Sequence, residues 1–181
     1  MAFTISSFRE SIAKHKGISR PNLFKVLIYG PGATAAAIPA DFTFQAKIAT
    51  IPPSTLGVIE VPYFGRMIKV PGNRTFDNLS ITVINDADFS VRNPIEAWMA
   101  KYNSHELNKS NVTDPNTLMA GIQITHYNID TSPTGVWRFV NCFPVSLGEI
   151  GLDWGSNDTA EEFTIDFAYD YWTNSSPKGA Q

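Results

Sequence analysis

The chain has 181 residues, of which 43% are hydrophobic and only 17% are charged, and its formal net charge at pH 7 is −3. This length fits one domain, expected over residues 1–181, whose core needs no disulfide or metal for folding. The excess of acidic over basic residues excludes a generally basic nucleic-acid binder, and a charged fraction below the typical value of about 25% favours a surface partly covered by other subunits.

Cysteine usage and hydropathy exclude further classes of protein. Cys142 is the single cysteine, which rules out an intramolecular disulfide and every cysteine-cluster metal site. No apolar run approaches the roughly 18 residues that a membrane helix requires, and residues 1–8 are too polar for a signal peptide. We therefore expect a protein made in a reducing, cytoplasmic-type compartment, with no membrane insertion of the subunit.

Charge is distributed unevenly along the chain. Residues 1–25 carry a net charge of +4, residues 26–148 carry −1, and residues 149–181 carry −6. Two solvated ends would account for this distribution. The alternative is self-association with a polar axis, in which complementary potentials of the two ends fix the orientation of neighbouring subunits. A head-to-tail contact of that kind builds rings or open filaments.

The first predicted element is a short amphipathic helix in an N-terminal arm, residues 1–19. Ile5, Phe8 and Ile12 are spaced by three and four residues, as on one face of a helix. Beyond this arm the pattern is typical of β-structure. Residues 42–48 alternate apolar and polar side chains strictly, which predicts a half-buried strand.

Two hairpins are predicted from turn signals between strand-like runs. Runs 121–129 and 135–143 are joined by a turn-rich linker. Runs 58–70 and 75–84 flank a turn predicted at four residues whose proline and glycine favour turn dihedrals, namely Pro71, Gly72, Asn73 and Arg74. The second pair of runs would form a long hairpin.

One interior helix is predicted after these runs. Asn93 is a suitable N-cap, and Pro94 suits the first helical position. The helix carries an apolar stripe with i, i+3, i+4, i+7 spacing, expected to lie against the sheet, made of Ile95, Trp98, Met99 and Tyr102. Residues 30–40 and 103–118 are predicted to be exposed loops.

The last strand has the clearest alternation. In residues 163–171 the odd positions are aromatic or aliphatic and the even positions are Thr, Asp or Ala, which predicts one face in an aromatic core. Residues 173–181 are small and polar, so a flexible tail is expected there. Strands do not alternate regularly with helices, and we therefore predict a mainly β fold, an antiparallel sandwich or barrel with one flanking α-helix.

No motif indicates catalysis. The histidines His15, His105 and His126 are far apart in sequence and lack metal-ligand spacing. The glycine-rich stretch 30–34 is not followed by the Gly-Lys-Ser/Thr of a phosphate loop, and Cys142 lies on an apolar strand where a packed thiol is expected. We predict no catalytic, metal-binding or cofactor-binding residues and no enzymatic activity.

Several stretches are more specific than a pattern of hydrophobicity. They are residues 20–26, 66–77, 82–86 and 147–154, followed by the aromatic strand that closes on Trp172. In this order and spacing, from about residue 20 to Trp172, the chain resembles the tail tube proteins of contractile-tailed, T-even-like bacteriophages. The resemblance implies a structural virion protein that forms stacked hexameric rings. These rings make the inner tail tube, the conduit for DNA delivery inside a contractile sheath.

The resemblance also implies a role for the hairpin. In this family a long hairpin joins strands across subunits, so that the inner wall of each ring is a closed intersubunit β-barrel. By position, the hairpin here would span about residues 44–85. The polar or basic side chains of this region are candidates for facing the lumen, namely Gln45, Lys47, Lys69, Ser80 and Thr82.

The implied partners are other copies of the chain, stacked head to tail, and the tail sheath protein. Baseplate and tube-terminator proteins are expected at the ends of the tube, and the tape-measure protein and DNA in its lumen. The expected location is the virion tail, after assembly in the host cytoplasm. Ring stacking would use the basic and acidic ends, for which the candidates are Arg9, Lys14, Lys16, Arg20, Glu149, Asp153, Glu161 and Glu162.

Other interpretations involve proteins with the same fold or with a different β-sandwich. Inner-tube proteins of phage-like contractile injection systems and tailocins are built in the same way, and baseplate tube-initiator proteins are related to them. A carbohydrate-binding β-sandwich would need exposed aromatic side chains on one sheet face. The alternation of aromatic with polar residues in 163–171 disfavours that interpretation.

Overall fold

Antiparallel strands dominate the protein, which we describe from a computed structural model over residues 4–14, 17–110 and 112–175. In chain order the helices and strands are α1 (Ile5–Lys14), β1 (Phe24–Tyr29), α2 (Pro31–Ala36), α3 (Phe42–Gln45), β2 (Ala46–Thr50), β3 (Ser54–Tyr63), β4 (Arg66–Phe76), β5 (Leu79–Ile84), α4 (Arg92–Tyr102), a 3-10 helix (Pro115–Leu118), β6 (Ala120–Tyr127), β7 (Pro133–Leu147), β8 (Glu162–Ala168) and β9 (Tyr171–Ser175). The predicted mainly β, antiparallel fold is confirmed.

Seven strands form one antiparallel sheet in the order β1-β6-β7-β8-β5-β2, with β9 paired to β7. The 15-residue strand β7 connects its two halves, because its first part pairs with β6 and β9 and its last part with β8. Between these parts Asn141 adopts a left-handed conformation with φ of 58°. Its Nδ2 donates to Asp170 Oδ2 at 2.6 Å, a contact that holds the bend in β7 in place.

The core lies between the sheet and α4. Ile95 and Trp98 of α4 are completely buried, and Met99 and Tyr102 pack against the core with partial exposure, which confirms the predicted stripe. The indole Nε1 of Trp98 donates to Leu118 O at 2.8 Å. The indole ring is thus buried with its single N–H donor hydrogen-bonded, as is usual for a tryptophan in a core.

The predicted start of α4 is wrong by a few residues. The helix begins at Arg92 rather than after Asn93, so Asn93 and Pro94 lie inside its first turn. The segment before it is held by Asp86, whose Oδ1 accepts from the backbone N–H of Ser90 at 2.7 Å. The hydrogen bond between Asp86 and Ser90 therefore fixes the backbone that leads into α4. The capping pattern in the sequence did not predict this bond.

The strand predicted over residues 42–48 is wrong in its first half. Residues Phe42–Gln45 form the short helix α3, and β2 begins at Ala46. Because a helical turn replaces the pleat, Phe42 is buried whereas Phe44 is exposed to solvent. Thr43 Oγ1 donates to Val26 O at 2.9 Å, which ties this turn to β1.

The predicted exposed loop over residues 30–40 is also wrong. It contains α2, where Gly32, Ala33 and Ala36 are buried. A Cβ added to Gly32 would lie 2.1 Å from Leu118 O, so the absence of a side chain lets α2 approach the 3-10 helix closely. The loop predicted over residues 103–118 is largely exposed in its described part, but it ends in that 3-10 helix, with Leu118 buried.

The C-terminal segment differs from the prediction at two points. The single strand predicted over residues 163–171 is divided into β8 and β9. The tail predicted to be flexible from residue 173 is wrong for residues 173–175, since β9 pairs with β7 from Tyr171 to Ser175. The remainder of the predicted tail, residues 176–181, lies outside the described residues.

Candidate assembly surface

Strands β3 and β4 form a hairpin that pairs with neither half of the seven-stranded sheet. Its turn consists of Phe64 and Gly65, with φ of 42° and 78°. Two-residue turns with positive φ at both positions match the twist of a hairpin. The turn predicted at Pro71–Arg74 is therefore wrong, because these residues lie within β4.

Pro71 and Gly72 are accommodated by a bulge in β4 itself, where Gly72 and Asn73 lie opposite the single residue Gly57 of β3. The register shifts between Leu56 and Val58, and Val58 lies opposite Pro71. A Cβ on Gly57 would lie 3.1 Å from Asn73 O, so the two backbones approach closely here. The proline and glycine that suggested a turn thus mark a bulge in the ribbon.

The two faces of this hairpin differ in polarity. Cross-strand pairing places Ile59 opposite Val70, Val61 opposite Ile68, and Tyr63 opposite Arg66. We call the five apolar side chains on this side the apolar hairpin face, which comprises Ile59, Val61, Tyr63, Ile68 and Val70. They are between 43% and 60% exposed. A contiguous exposed apolar face on a monomer indicates a contact with another molecule.

The opposite side of the hairpin is more polar. Glu60 lies opposite Lys69, and Lys69 Nζ is 3.8 Å from Glu60 Oε1. Both side chains are largely exposed, so this ion pair contributes at most about 1 kcal/mol to stability. Val58 and Met67 also lie on this side and are more than half exposed, so the two sides of the hairpin differ mainly by the charged pair at the centre of this one.

An aromatic cluster fixes the base of the hairpin. The Phe76 ring lies 6.0 Å from Tyr169 and 6.4 Å from Trp172, measured between centroids. The Tyr169 hydroxyl donates to Asp77 O at 2.6 Å. Burial raises the pKa of Tyr169 to about 12, so this hydroxyl stays a donor at any physiological pH. The projecting ribbon is thus joined to the sheet by defined contacts at residues 76 and 77.

We expect Tyr169→Phe to loosen this base without unfolding the sheet. The substitution removes the hydrogen bond to Asp77 O but keeps the ring, so the free energy of unfolding should fall by about 0.5–1.5 kcal/mol. Amide exchange of residues 76–79 should become faster. Urea unfolding and hydrogen exchange measure the two effects. Tyr63→Phe is the matched control, since the Tyr63 hydroxyl makes no hydrogen bond to the described part of the chain, and equal behaviour of both variants would contradict the role of Tyr169.

Two of the lumen-facing candidates share one face of the sheet. Ser80 and Thr82 of β5 lie opposite Asp166 and Thr164 of β8, on the side away from the core. Ser80 Oγ donates to Asp166 Oδ1, and the hydroxyls of Thr82 and Thr164 are 3.2 Å apart. We call the surface formed by these four side chains the polar sheet face.

The other three candidates lie outside this group of four side chains, although Lys47 borders it. Lys47 of β2 has its Nζ 2.5 Å from Glu162 Oε1, so its charge is neutralised within the chain. Gln45 belongs to α3 and donates to Asp86 Oδ2 at 3.3 Å. Lys69 lies on the separate hairpin. The five candidates therefore do not form one continuous surface in a single chain.

The candidates for ring stacking fall into two groups. Arg9 and Lys14 lie on α1, and both are exposed; Lys16 lies outside the described residues. Arg20 is held beside β6, with its carbonyl oxygen 2.8 Å from His126 Nε2.

The acidic candidates lie between β7 and β8 or at the start of β8. Glu161 accepts from Asn85 Nδ2 at 2.6 Å, and Glu162 forms the ion pair with Lys47. Glu149 and Asp153 are exposed. Asp153 accepts from Gly155 N at 2.9 Å, so three of the four carboxylates already have contacts inside the chain, which leaves Glu149 as the better candidate for an external contact.

Within the described residues, no group of three or more His, Cys, Asp or Glu side chains could hold a metal ion. No helix in this part of the chain has the length and apolar character needed to cross a bilayer. Cys142 is completely buried on β7, and burial raises the pKa of its thiol to about 12. A neutral, packed thiol is a poor nucleophile.

We expect Cys142 to resist thiol reagents while the protein is folded. With a pKa of about 12, the thiolate fraction at pH 8 is on the order of 10⁻⁴, and the side chain has no exposed surface. An aromatic disulfide reagent at pH 8 should therefore release no chromophore from native protein and one equivalent in denaturant. Stoichiometric labelling of the native protein within seconds would contradict this environment.

A β fold with a projecting, unpartnered apolar hairpin defines a subunit suited to contact with another chain. The chain belongs to the phage tail tube protein family, whose model matches residues 19–175. It is a structural tail tube protein, and the resemblance in its sequence is confirmed.

Individual relatives agree with this family. The tail tube protein of Enterobacteria phage T4 is 30% identical, over 85% of this chain and 90% of that protein. The tail tube protein of Serratia phage KSP90 is 29% identical, over 92% of this chain and 94% of that protein. A chain of the sheath–tube complex of an extracellular contractile injection system, PVC, has a similar fold, with a TM-score of 0.57, 19% identity, and 97% and 99% of the two chains covered.

Sequence reasoning missed two features of this surface. Gly65, between two apolar runs, was a signal for the turn at Phe64–Gly65. The pair Pro71 and Gly72 was the stronger turn signal, and the turn was therefore predicted there. The anchoring bond from Tyr169 to Asp77 joins residues 92 positions apart, and no local pattern signals such a contact.

Proposed function

We propose that the protein forms hexameric rings that stack into a hollow inner tail tube, through which DNA is delivered inside a contractile sheath. The observation that carries this proposal is the apolar hairpin face, which none of the described residues of its own chain covers. Family membership supports a tube, and the contractile injection system chain with a similar fold comes from a sheath–tube complex.

The hairpin supplies both an apolar face and free strand edges. Strands β3 and β4 pair only with each other, so each has one edge of unpaired backbone groups. Such edges attract further strands unless they are covered. Insertion of the hairpin beside a neighbouring subunit would bury its apolar face, and closure into a ring would cover its edges.

The polar sheet face is suited to line the lumen. Its four side chains are three hydroxyls and the Asp166 carboxylate, with the half-exposed Ile48 beside them opposite Thr82, and the nearby Lys47 is paired with Glu162. Because phosphate contacts with unpaired Lys or Arg hold DNA strongly, a hydroxyl and carboxylate surface would let DNA pass. If the apolar hairpin face lies against the neighbouring subunit, Lys69 lies on the opposite side of the hairpin.

The partners of such a tube would be the sheath protein outside it, baseplate and terminator proteins at its ends, and the tape-measure protein and DNA within it. Assembly would take place in the host cytoplasm. A tube in an injection system or tailocin is the alternative, favoured by the fold similarity to the PVC chain. The closer sequence similarity is to phage tail tube proteins, so we favour a phage tail.

Electron microscopy of the purified protein tests the proposal. At high concentration, negative-stain images should show rings with six-fold symmetry or hollow tubes, and light scattering should give the mass of six chains or multiples of it. If only monomer forms, addition of purified baseplates should start tube growth. A stable dimer that baseplates do not convert would contradict the proposed assembly.

A further inference from the structure

Helix α1 has an apolar stripe without a partner. None of its ten residues is buried. Ile5, Phe8 and Ile12 lie along one side of the helix, with Arg9 at the border of this stripe. A helix of ten residues is only marginally stable in water without tertiary contacts, so a partner that covers the stripe would stabilise it.

A second unpartnered apolar feature lies in the connection between β7 and β8. Trp154 is fully exposed there, and Leu152 is nearly so. A turn presents the indole: Ser156 N donates to Asp153 O at 3.2 Å, and Gly155 N donates to Asp153 Oδ1 at 2.9 Å. We call residues 148–161 the tryptophan loop. A tryptophan held outward by a hydrogen-bonded turn has the properties of an interface anchor.

The two features have complementary charge. The tryptophan loop contains four carboxylates and no basic residue, whereas α1 carries Arg9 and Lys14 against the single acid Glu10. Arg9 at the edge of the apolar stripe can approach these carboxylates when the stripe covers the indole. Charge complementarity of this kind fixes the orientation of a contact.

The two features are attached at opposite ends of the longest strand. Residues 19–23 lead from α1 into β1 and are held beside β6, where Tyr127 N donates to Leu23 O at 2.8 Å. Tyr127 pairs with Pro133 at the start of β7, and the tryptophan loop follows Leu147 at its end. A contact between α1 and the loop therefore suits two copies placed head to tail.

We propose that α1 of one copy docks on the tryptophan loop of the next copy along the tube axis. Trp154 packs against Ile5 and Phe8, and Arg9 meets the loop carboxylates. The inference rests on the proposed function and names the contact between stacked rings. Because each copy presents a different surface at each end, the contact is heterologous and repeats without limit.

Single substitutions separate stacking from ring formation. Trp154→Ala and Phe8→Ala each remove one side of the contact, and both residues are exposed, so thermal unfolding should be unchanged. We expect these variants to form rings but no tubes in electron micrographs. Leu107→Ala is the matched control, since Leu107 is exposed in another loop, and it should form tubes like the wild type.

A mixing experiment tests whether the two surfaces meet each other. Rings of Trp154→Ala keep α1 intact, and rings of Phe8→Ala keep the loop intact. Mixed after separate assembly, they should form two-ring stacks and nothing longer, since only one pairing remains. Tubes from Trp154→Ala alone, or single rings in the mixture, would overturn this inference while the ring proposal stands. Wild-type protein that never forms a ring, even with baseplates, would overturn both.

Discussion

A protein carrying Val61→Lys and Ile68→Lys is expected to fold normally and to remain monomeric at concentrations where the wild type forms rings. The two residues lie opposite each other on the apolar hairpin face and are about half exposed, so the isolated subunit loses little. In the ring, an unpaired buried charge costs about 3–5 kcal/mol, and two of them would prevent association. Sedimentation velocity and negative-stain microscopy measure assembly, and thermal unfolding measures stability.

The control for this variant uses the other side of the same hairpin. Glu60→Lys also places two lysines opposite each other, because its partner is Lys69, but it leaves the apolar hairpin face unchanged. We expect this variant to form rings. If both variants assembled equally well, the apolar hairpin face would have no role in the ring contact.

Trp98→Ala is expected to destabilise the subunit by about 3–5 kcal/mol, the range for removal of a large aromatic side chain from a core. Trp98 is completely buried, its ring lies 6.3 Å from that of Phe167, and its Nε1 donates to Leu118 O. The variant therefore leaves a cavity and an unpaired carbonyl. Against a typical total of 5–15 kcal/mol, urea unfolding should show a midpoint well below that of the wild type.

The same substitution at an exposed tryptophan isolates the effect of burial. Trp154→Ala removes an identical side chain from a position with full exposure, and its unfolding midpoint should match the wild type. A comparable loss of stability in both variants would mean that Trp154 packs against its own chain in solution.

Local patterns predicted the elements in which one period dominates. The stripe of α4 has helical spacing, and β8 alternates strictly between buried Phe163, Ile165 and Phe167 and more exposed residues. In each case the buried face is decided by the side chains of that element alone. For this reason the helix, the hairpin of β6 and β7, and the mainly β class could be predicted from the sequence.

Other elements depend on contacts between residues that are distant in sequence, and a periodic pattern of apolar residues does not reveal such contacts. Residues 42–45 alternate as a strand would, yet Thr43 bonds to Val26 O and a helical turn results. In α2, packing depends on the missing side chain of Gly32 near Leu118 O. Both cases involve partners distant in sequence, which override local propensity.

The sequence predicted that the subunit associates with other copies, but not which residues form the contact surface. Low charge and the family resemblance indicated association through a hairpin, whereas its turn was predicted at the wrong place because Pro71 and Gly72 mark a bulge in β4. Similarly, the counts of charge indicated a basic and an acidic end. That Glu161 and Glu162 are bonded to Asn85 and Lys47 depends on the three-dimensional arrangement of β2, β5 and β8.

The two prolines of the hairpin affect how its strand edges behave after the subunit is synthesised and before it assembles. A two-residue turn makes Tyr63 and Arg66 a hydrogen-bonded pair, so alternation places Pro62 and Pro71 where an amide would point away from the partner strand. Each outer edge of the ribbon thus lacks one donor that a stray strand could use. Such interruptions hinder amyloid-like growth. The two prolines therefore make the free edges of the hairpin poorer templates for stray strands before assembly covers them.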